Sequence, residues 1–396
     1  MLIFKDKIEL SVKDYIGIIT FEDATIEYDG INYIISASSK EGRRISLLSR
    51  EWNDNPEIFS LSIVNPSEIK GSNCLYDLSD ITLLRIKGET YQHGIRYQWA
   101  ISSLKKVIQT NIDEPYMFHI VPVDKNCLLT DLKDIELNFE YKHNGYFLSL
   151  GEDKDIVIRT DKDNKYINMI ISLLSIYYGT AMEIRCKEQS KDGRKTIVYL
   201  PVQYKFHGLS SFTNDLDYLK HVALSNLFQF LELSLKSVES YNLKKSDYIV
   251  KAIERYMVSK YMDNQTKFIY LTSILETFSE KVEEITKTEI KTKKDGKEVR
   301  EKRNAYNMVS ESLMKKNIDL DKLNNTINED TGLSGNFVDL RNEILHNLPT
   351  EKIVNYLNYK YPIYYLEFAV CLVILHHIGF DNIHFREGFE LSIYKE

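Results

Sequence analysis

Cysteine and proline are scarce in this chain, which has four cysteines and seven prolines among 396 residues. The cysteines, at positions 74, 127, 186 and 371, are widely spaced and form neither a CxxC pair nor a cluster with histidine. Such spacing argues against a zinc site, and we expect no metal and no other cofactor. Isolated thiols are typical of a reducing compartment, so the expected location is the cytoplasm.

Long apolar runs are also missing. The first ten residues include four charged side chains, and no apolar signal segment follows them. The most apolar stretch, Ile363–Ile378, contains Glu367 and two histidines and is short for a membrane span. It therefore predicts a buried core helix, and no membrane partner is expected.

The chain has no excess of positive charge and no familiar phosphate-binding loop. The net charge is −7, and both halves, divided at residue 205, are slightly acidic. Any contact with nucleic acid must therefore come from a local patch. The motifs GxxxxGK, GxGxxG, HExxH and GxSxG are absent, which leaves no support for P-loop, dinucleotide-binding, zinc-protease or esterase classes.

The first half of the chain is rich in β-branched and aromatic runs. Three turn signals, Asp29-Gly30, Asn144-Gly145 and Asp192-Gly193, separate such runs and predict β-hairpins. One helix is predicted over Lys165–Tyr178, closed by Gly179.

From about residue 215 the apolar residues recur at helical spacing. The predicted helices are Leu216–Tyr241, Tyr248–Tyr261, Phe268–Ile285, Asn304–Lys315, Leu320–Ile327, Phe337–Asn347, Ile353–Tyr359 and Ile363–Ile378. The expected fold class is α+β, with a β-rich domain over residues 1–205 and an all-helical bundle over residues 206–396.

A basic insertion, residues 287–303, interrupts the helical part with eight basic and four acidic residues. It is either a solvated loop or exposed β-hairpin, or a mobile basic lobe that contacts phosphate. In the second case the side chains that would bind a substrate are Lys293, Lys294, Arg300 and Arg303.

The segment Ser334–Pro349 contains the strongest candidate for chemistry. Asn336 is placed to cap a helix that begins at Phe337. Because Pro349 disfavours helix at the residue before it, this helix should end near His346 or Asn347.

Arg341 falls inside the apolar arc of this helix, which runs from Phe337 to Leu348. Burying it unpaired would cost several kcal/mol. It therefore forms a structural ion pair with Glu276 or Glu343, reaches out to water, or holds an anion at an interface or cavity.

Asn342 and His346, four residues apart, share the adjacent polar face. An imidazole can transfer a proton near neutral pH, and a guanidinium can hold a phosphate through two parallel hydrogen bonds. The combination of these groups with Arg341 at one helix end is what points to phosphate chemistry.

The run Arg341-Asn342-Glu343-Ile344-Leu345-His346 resembles the signature of HEPN ribonucleases. Leu271–Phe278 resembles the long helix of that family, with a glutamate in an aliphatic setting, and Tyr365–Phe380 is similar to its closing helix. The subgroup it most resembles is the Apea-like HEPN group, in which a variable N-terminal domain precedes the nuclease. The resemblance covers roughly residues 245–380.

This resemblance implies a metal-independent endoribonuclease that is active as a homodimer through the HEPN domain, often a toxin of antiviral or abortive-infection defence. Arg341 would bind or stabilise the scissile phosphate, His346 would transfer a proton, and Asn342 would orient one of them. The substrate would be RNA, with tRNA as one candidate, cleaved by its own 2′-hydroxyl. The N-terminal domain would sense an unknown trigger or hold the nuclease inactive.

Arg341 and His346 are about 140° apart on an ideal helix. Either the helix unwinds at His346, or a two-fold dimer shares the site between two subunits; we favour the dimer. The rival interpretations are a non-catalytic HEPN-type module that binds nucleotides or partners, and a scaffold protein in which the motif occurs by chance.

Overall fold

The structure is a computed structural model. It describes residues 5–13, 18–28, 33–39, 62–88, 95–123, 127, 129, 136–141, 143–151, 155–161, 166–200, 227–286, 288–292, 298–316, 318, 321–333, 335–347, 349–358 and 360–380. The chain divides into a sheet unit (residues 1–123, 128–164 and 182–205) and a helical unit (residues 124–127, 165–181 and 206–396). The α+β class predicted from the sequence is confirmed.

The sheet unit is built on antiparallel strands. They are β1 (Lys5–Lys13), β2 (Ile18–Tyr28), β3 (Tyr33–Ser39), β4 (Ser62–Ile63), β5 (Ile69–Gly71), β6 (Leu75–Gly88), β7 (Ile95–Gln109), β8 (Glu114–Pro122), β9 (Leu137–Tyr141), β10 (Asn144–Leu150), β11 (Ile156–Thr160), β12 (Met182–Lys191) and β13 (Arg194–Tyr199).

Strand β7 joins two parts of this sheet. It pairs with β3 and with β6, and so closes a ring of six strands in the order β1, β2, β3, β7, β6, β5. Trp99 and Tyr76 are fully buried in the ring's apolar cluster. Beyond the ring, β13, β12, β8, β11, β10 and β9 continue from β7 in that order.

The predicted hairpins had different outcomes. Asp192-Gly193 forms the two-residue turn between β12 and β13, and both residues have positive φ, as a type I′ turn requires. The turn predicted at Asn144-Gly145 is wrong, because Asn144 pairs with Tyr141 and starts β10. The chain reverses two residues earlier, directly before Asn144, and His143 lies in the left-handed region. Strands β2 and β3 pair as predicted, but Asp29-Gly30 lies outside the described residues.

The helical unit contains nine α-helices within its described residues. They are α1 (Tyr166–Tyr178), α2 (Leu227–Glu239), α3 (Leu243–Ser259), α4 (Asn264–Thr277), α5 (Ala305–Met314), α6 (Asp321–Thr331), α7 (Phe337–His346), α8 (Glu351–Asn358) and α9 (Lys360–His377). Helix α1 belongs to this unit, although it lies within residues 1–205 of the chain. Residues 216–226, which were predicted to be helical, lie outside the described residues.

Helix α4 is the centre of the helical unit. It packs against α3, α5, α7, α8 and α9, and its Phe268, Leu271 and Ile274 are fully buried. A single π-helical turn, Phe278–Val282, continues it. Such a turn inserts one extra residue and rotates the next part of the chain about the helix axis. This rotation places Glu283 against α5 and the end of α9.

Helix α9 is the core helix predicted from the apolar run. Pro362 lies in its first turn, where no intrahelical N–H is required, so the helix begins before the proline rather than after it. Leu366, Val370 and Ile374 have no exposed surface. Among the described residues, no helix combines the length and the apolar character needed to cross a membrane.

Candidate functional site at the end of helix α7

Helix α7 begins with a reciprocal cap. Asn336 Oδ1 accepts hydrogen bonds from the backbone N–H groups of Val338 (2.9 Å) and Asp339 (3.2 Å), and Asp339 Oδ2 accepts one from Asn336 N (3.0 Å). The predicted Asn336 cap is therefore confirmed, and it is a full capping box. Phe337 and Leu340 are fully buried, which anchors this end of the helix in the unit.

Helix α7 carries Arg341 into contact with α4. Arg341 Nη1 lies 2.5 Å from Glu276 Oε2, and both side chains are largely buried, with 15% and 23% of their surface exposed. Of the two partners that the sequence left open for this arginine, the structure selects Glu276 rather than Glu343. Glu343 instead accepts a hydrogen bond from Asn347 Nδ2 at 2.9 Å.

Asn342 is the second partner of the guanidinium. Its Oδ1 accepts from Arg341 Nε (3.2 Å) and Nη2 (2.9 Å). A guanidinium has five N–H donors, and three of them are directed at these oxygens. Within the described part of the chain, no residue accepts from the other two, so an anion could accept from them. Glu276 Oε1 is buried and accepts no hydrogen bond from the described residues. Asn342 thus contacts Arg341, and the charge of the guanidinium is partly neutralised by Glu276.

His346 is the last residue of α7 and is exposed to solvent. Asn347 caps the helix in an extended conformation and donates its backbone N–H to Glu343 O. The helix therefore does not unwind at His346, and Arg341 and His346 keep the angular separation of a regular helix. Leu345, next to His346, is half exposed.

The basic insertion forms a β-hairpin, β14 (Thr288–Thr292) with β15 (Glu298–Lys302). Of the four candidate phosphate contacts, Lys293 and Lys294 lie outside the described residues. Arg300 lies within β15, opposite Ile290. Arg303 follows β15 and donates to Glu311 Oε2 at 2.6 Å, so its charge is directed at α5.

A buried polar network in the same unit, which the sequence did not predict, includes His377, the last residue of α9. His377 Nε2 lies 3.0 Å from Glu283 Oε1, and its Nδ1 lies 2.8 Å from the Tyr241 hydroxyl. The same Glu283 oxygen accepts hydrogen bonds from Ser312 of α5 and from Lys316, which follows α5. Since Glu283 and Lys316 are 12% and 6% exposed, the network has little access to a substrate.

Comparison with protein-family models, with curated proteins and with solved structures gave no match for this chain. The resemblance to HEPN ribonucleases therefore stays a prediction from the sequence of α4, α7 and α9.

Disrupting the Arg341–Glu276 ion pair should lower the stability of the protein by a measurable amount. Glu276→Gln keeps the shape of the side chain but removes the charge that faces the guanidinium. We expect the free energy of unfolding to fall by about 1.5–3 kcal/mol in urea titrations. The matched variant Glu343→Gln changes the other candidate partner and should cost less than about 1 kcal/mol. Equal losses would show that the ion pair with Glu276 does not hold α7 against α4.

Proposed function

We propose that the helical unit is a HEPN-type, metal-independent endoribonuclease and that Arg341, Asn342 and His346 form its active site. The observation that carries this proposal is the arrangement at the end of α7. Arg341 is oriented by Glu276 and Asn342 and keeps two donors that no described residue accepts from, and an exposed imidazole lies five residues further along the helix. A phosphate is the ligand that suits such a guanidinium.

The reaction can be written from these groups. The 2′-hydroxyl oxygen of the RNA attacks the adjacent phosphorus, and the bond from phosphorus to the 5′-oxygen of the next nucleotide breaks. The products are a 2′,3′-cyclic phosphate and a free 5′-hydroxyl. The 2′-hydroxyl loses a proton and the leaving 5′-oxygen gains one; His346 carries out one of these transfers and water the other. Arg341 stabilises the negative charge of the phosphorane. DNA, which lacks the nucleophile, is not cleaved.

The angular separation within α7 supports a shared site. Because the helix remains regular through His346, a single copy of it directs Arg341 towards α4 and His346 elsewhere. In a homodimer formed through this unit, Arg341 of one subunit would face His346 of the other. Leu345, which precedes His346 in the helix and is half exposed, supplies apolar surface for such an interface.

The biological role rests on the family resemblance. We propose an effector of antiviral or abortive-infection defence, located in the cytoplasm, with RNA, tRNA among the candidates, as its target. In this scheme the sheet unit responds to a trigger and controls the nuclease. The basic hairpin at 287–303 contributes phosphate contacts through Lys293, Lys294 and Arg300, and Arg303 does so when it is released from Glu311.

One observation favours a second candidate function, a non-catalytic module that binds a nucleotide or a protein partner. The ion pair with Glu276 already neutralises much of the charge of Arg341, as a purely structural arginine would require. Such a module would bind RNA or nucleotides without cleaving them.

The deciding experiment incubates the full chain with RNA and with the same sequence carrying 2′-deoxy residues, each with and without EDTA. We expect cleavage of RNA alone, at an equal rate in EDTA, with 2′,3′-cyclic phosphate ends detected by mass spectrometry. Circular dichroism confirms that the protein stays folded in EDTA. Cleavage of the 2′-deoxy strand, or 3′-hydroxyl products, would contradict the mechanism, and binding without cleavage would favour the second candidate.

A further inference from the structure

Strands β8 and β12 of the sheet unit bring together three side chains that can bind a metal ion. His119 of β8 lies directly opposite Cys186 of β12 in the antiparallel register. Glu188 follows Cys186 by two residues and therefore lies on the same face of the sheet. Directly opposed residues of neighbouring strands have their Cβ atoms about 5 Å apart, which brings such side chains into contact.

The distances among these ligand atoms suit a tetrahedral ion. Glu188 Oε1 lies 3.3 Å from His119 Nε2 and 3.9 Å from Cys186 Sγ, and the ligand atoms all lie within 4.8 Å of one another. With ordinary zinc bond lengths, a tetrahedral site separates nitrogen from oxygen by about 3.4 Å and sulfur from oxygen by about 3.6 Å. The nitrogen–oxygen and sulfur–oxygen separations are therefore close to those of a bound ion. The third separation, between His119 Nε2 and Cys186 Sγ, is at most 4.8 Å and has to shorten to about 3.6 Å when an ion binds.

Two further side chains orient the ligands from behind. Asp155 Oδ2 lies 2.6 Å from His119 Nδ1, which directs the other ring nitrogen at Cys186 and Glu188. A carboxylate behind the imidazole is the usual outer partner of a metal-binding histidine. Lys195 Nζ holds the other oxygen of Glu188 at 2.8 Å. His119 Nε2 is buried and makes no hydrogen bond of good geometry among the described residues.

We propose that His119, Cys186 and Glu188 bind Zn²⁺ and leave a fourth position for water. Thiolate and carboxylate together neutralise the ion, and the thiol proton and any proton on His119 Nε2 are released to solvent when it binds. His119 and Glu188 keep some exposure, which gives the ion a route in, whereas Cys186 is buried in the ring's apolar cluster. The ion would cross-link β8 and β12. This site is separate from the proposed ribonuclease site and plays no part in its chemistry.

The test uses the full chain, stripped of metal with EDTA and then titrated with Co²⁺ as a spectroscopic probe. We expect about one cobalt ion per chain in tetrahedral geometry, with a thiolate-to-cobalt charge-transfer band that Zn²⁺ abolishes on displacement. Wild-type protein that binds cobalt without a thiolate band, or binds none, would overturn the site whatever the RNA-cleavage assay shows.

Variants then identify the ligands. Cys186→Ala should lose the charge-transfer band, while the control Cys74→Ala, which removes a thiol elsewhere in the same unit, should keep it. Asp155→Asn should keep the band but weaken zinc affinity by about 10–100-fold. If Cys186→Ala does not fold by circular dichroism, Glu188→Gln replaces it and should lose the tetrahedral spectrum. Unchanged zinc affinity in whichever of these two ligand variants folds would rule out the proposed ligand set.

Discussion

His346→Ala is expected to slow RNA cleavage by about 10²–10⁴-fold, because it removes the group that transfers a proton in the reaction. Arg341→Ala is expected to slow it by about 10²–10³-fold, because the developing charge on the phosphate loses its donors. Both rates are measured in single-turnover assays with excess enzyme, so that weaker RNA binding does not mask the chemical step. Thermal unfolding is followed in parallel for each variant.

The control variants remove the same residue types elsewhere. His143→Ala deletes a fully exposed histidine of the sheet unit, and Arg255→Ala an exposed arginine of α3. Both should cleave RNA at the wild-type rate. If His346→Ala also cleaves at that rate while folded, the end of α7 is not the active site.

Mixing the two inactive variants distinguishes an active site that is shared between two subunits from one that is formed within a single chain. In a shared site, a mixed dimer of the Arg341→Ala and His346→Ala subunits contains one site with both groups intact. Since half of the randomly formed dimers are mixed, the mixture should recover about a quarter of the wild-type activity. No recovery from subunits that exchange freely would mean that both groups come from the same chain.

The sequence predicted the helical unit more accurately than the sheet unit because helical periodicity is local. The cap at Asn336 and the end of α7 are determined by side chains within a few residues of each other. The hairpin of β9 and β10 was predicted, but its turn was misplaced because His143, not a glycine, adopts the left-handed conformation. Asn-Gly is a favourable turn pair, yet here strand pairing places it at the start of β10.

The sites depend on contacts between residues that are far apart in the chain. The sequence named Glu276 and Glu343 as partners of Arg341, but only the packing of α4 on α7 decides between them. The proposed zinc ligands were missed because cysteine spacing finds ligands that are close in sequence. His119 and Cys186 are 67 positions apart and meet through strand pairing alone. The contacts of Glu283 depend on the π-helical turn that precedes it, and no local sequence pattern indicates such a turn.

Glu283→Gln is expected to lower the free energy of unfolding by about 3–5 kcal/mol, because it leaves the buried ammonium of Lys316 without its counter-charge. The substitution also removes the charge-assisted hydrogen bonds between the carboxylate and the side chains of His377 and Ser312. Urea unfolding followed by circular dichroism measures the change. Glu284→Gln makes the same substitution one residue later, at an exposed side chain paired with Lys245, and should cost less than about 1 kcal/mol.

The same residue gives the helical unit a defined acid sensitivity. Burial alone would raise the pKa of Glu283, but its bonds to His377 and Lys316 outweigh burial and lower the pKa from 4.5 to about 2. A lowered pKa means that the carboxylate stabilises the fold fully above about pH 4.5 and progressively less as the pH falls towards 2. Wild type should therefore lose stability over this interval more steeply than Glu283→Gln, and the gap between their unfolding free energies should narrow. Parallel curves for the two proteins would show that folding does not lower the pKa of Glu283.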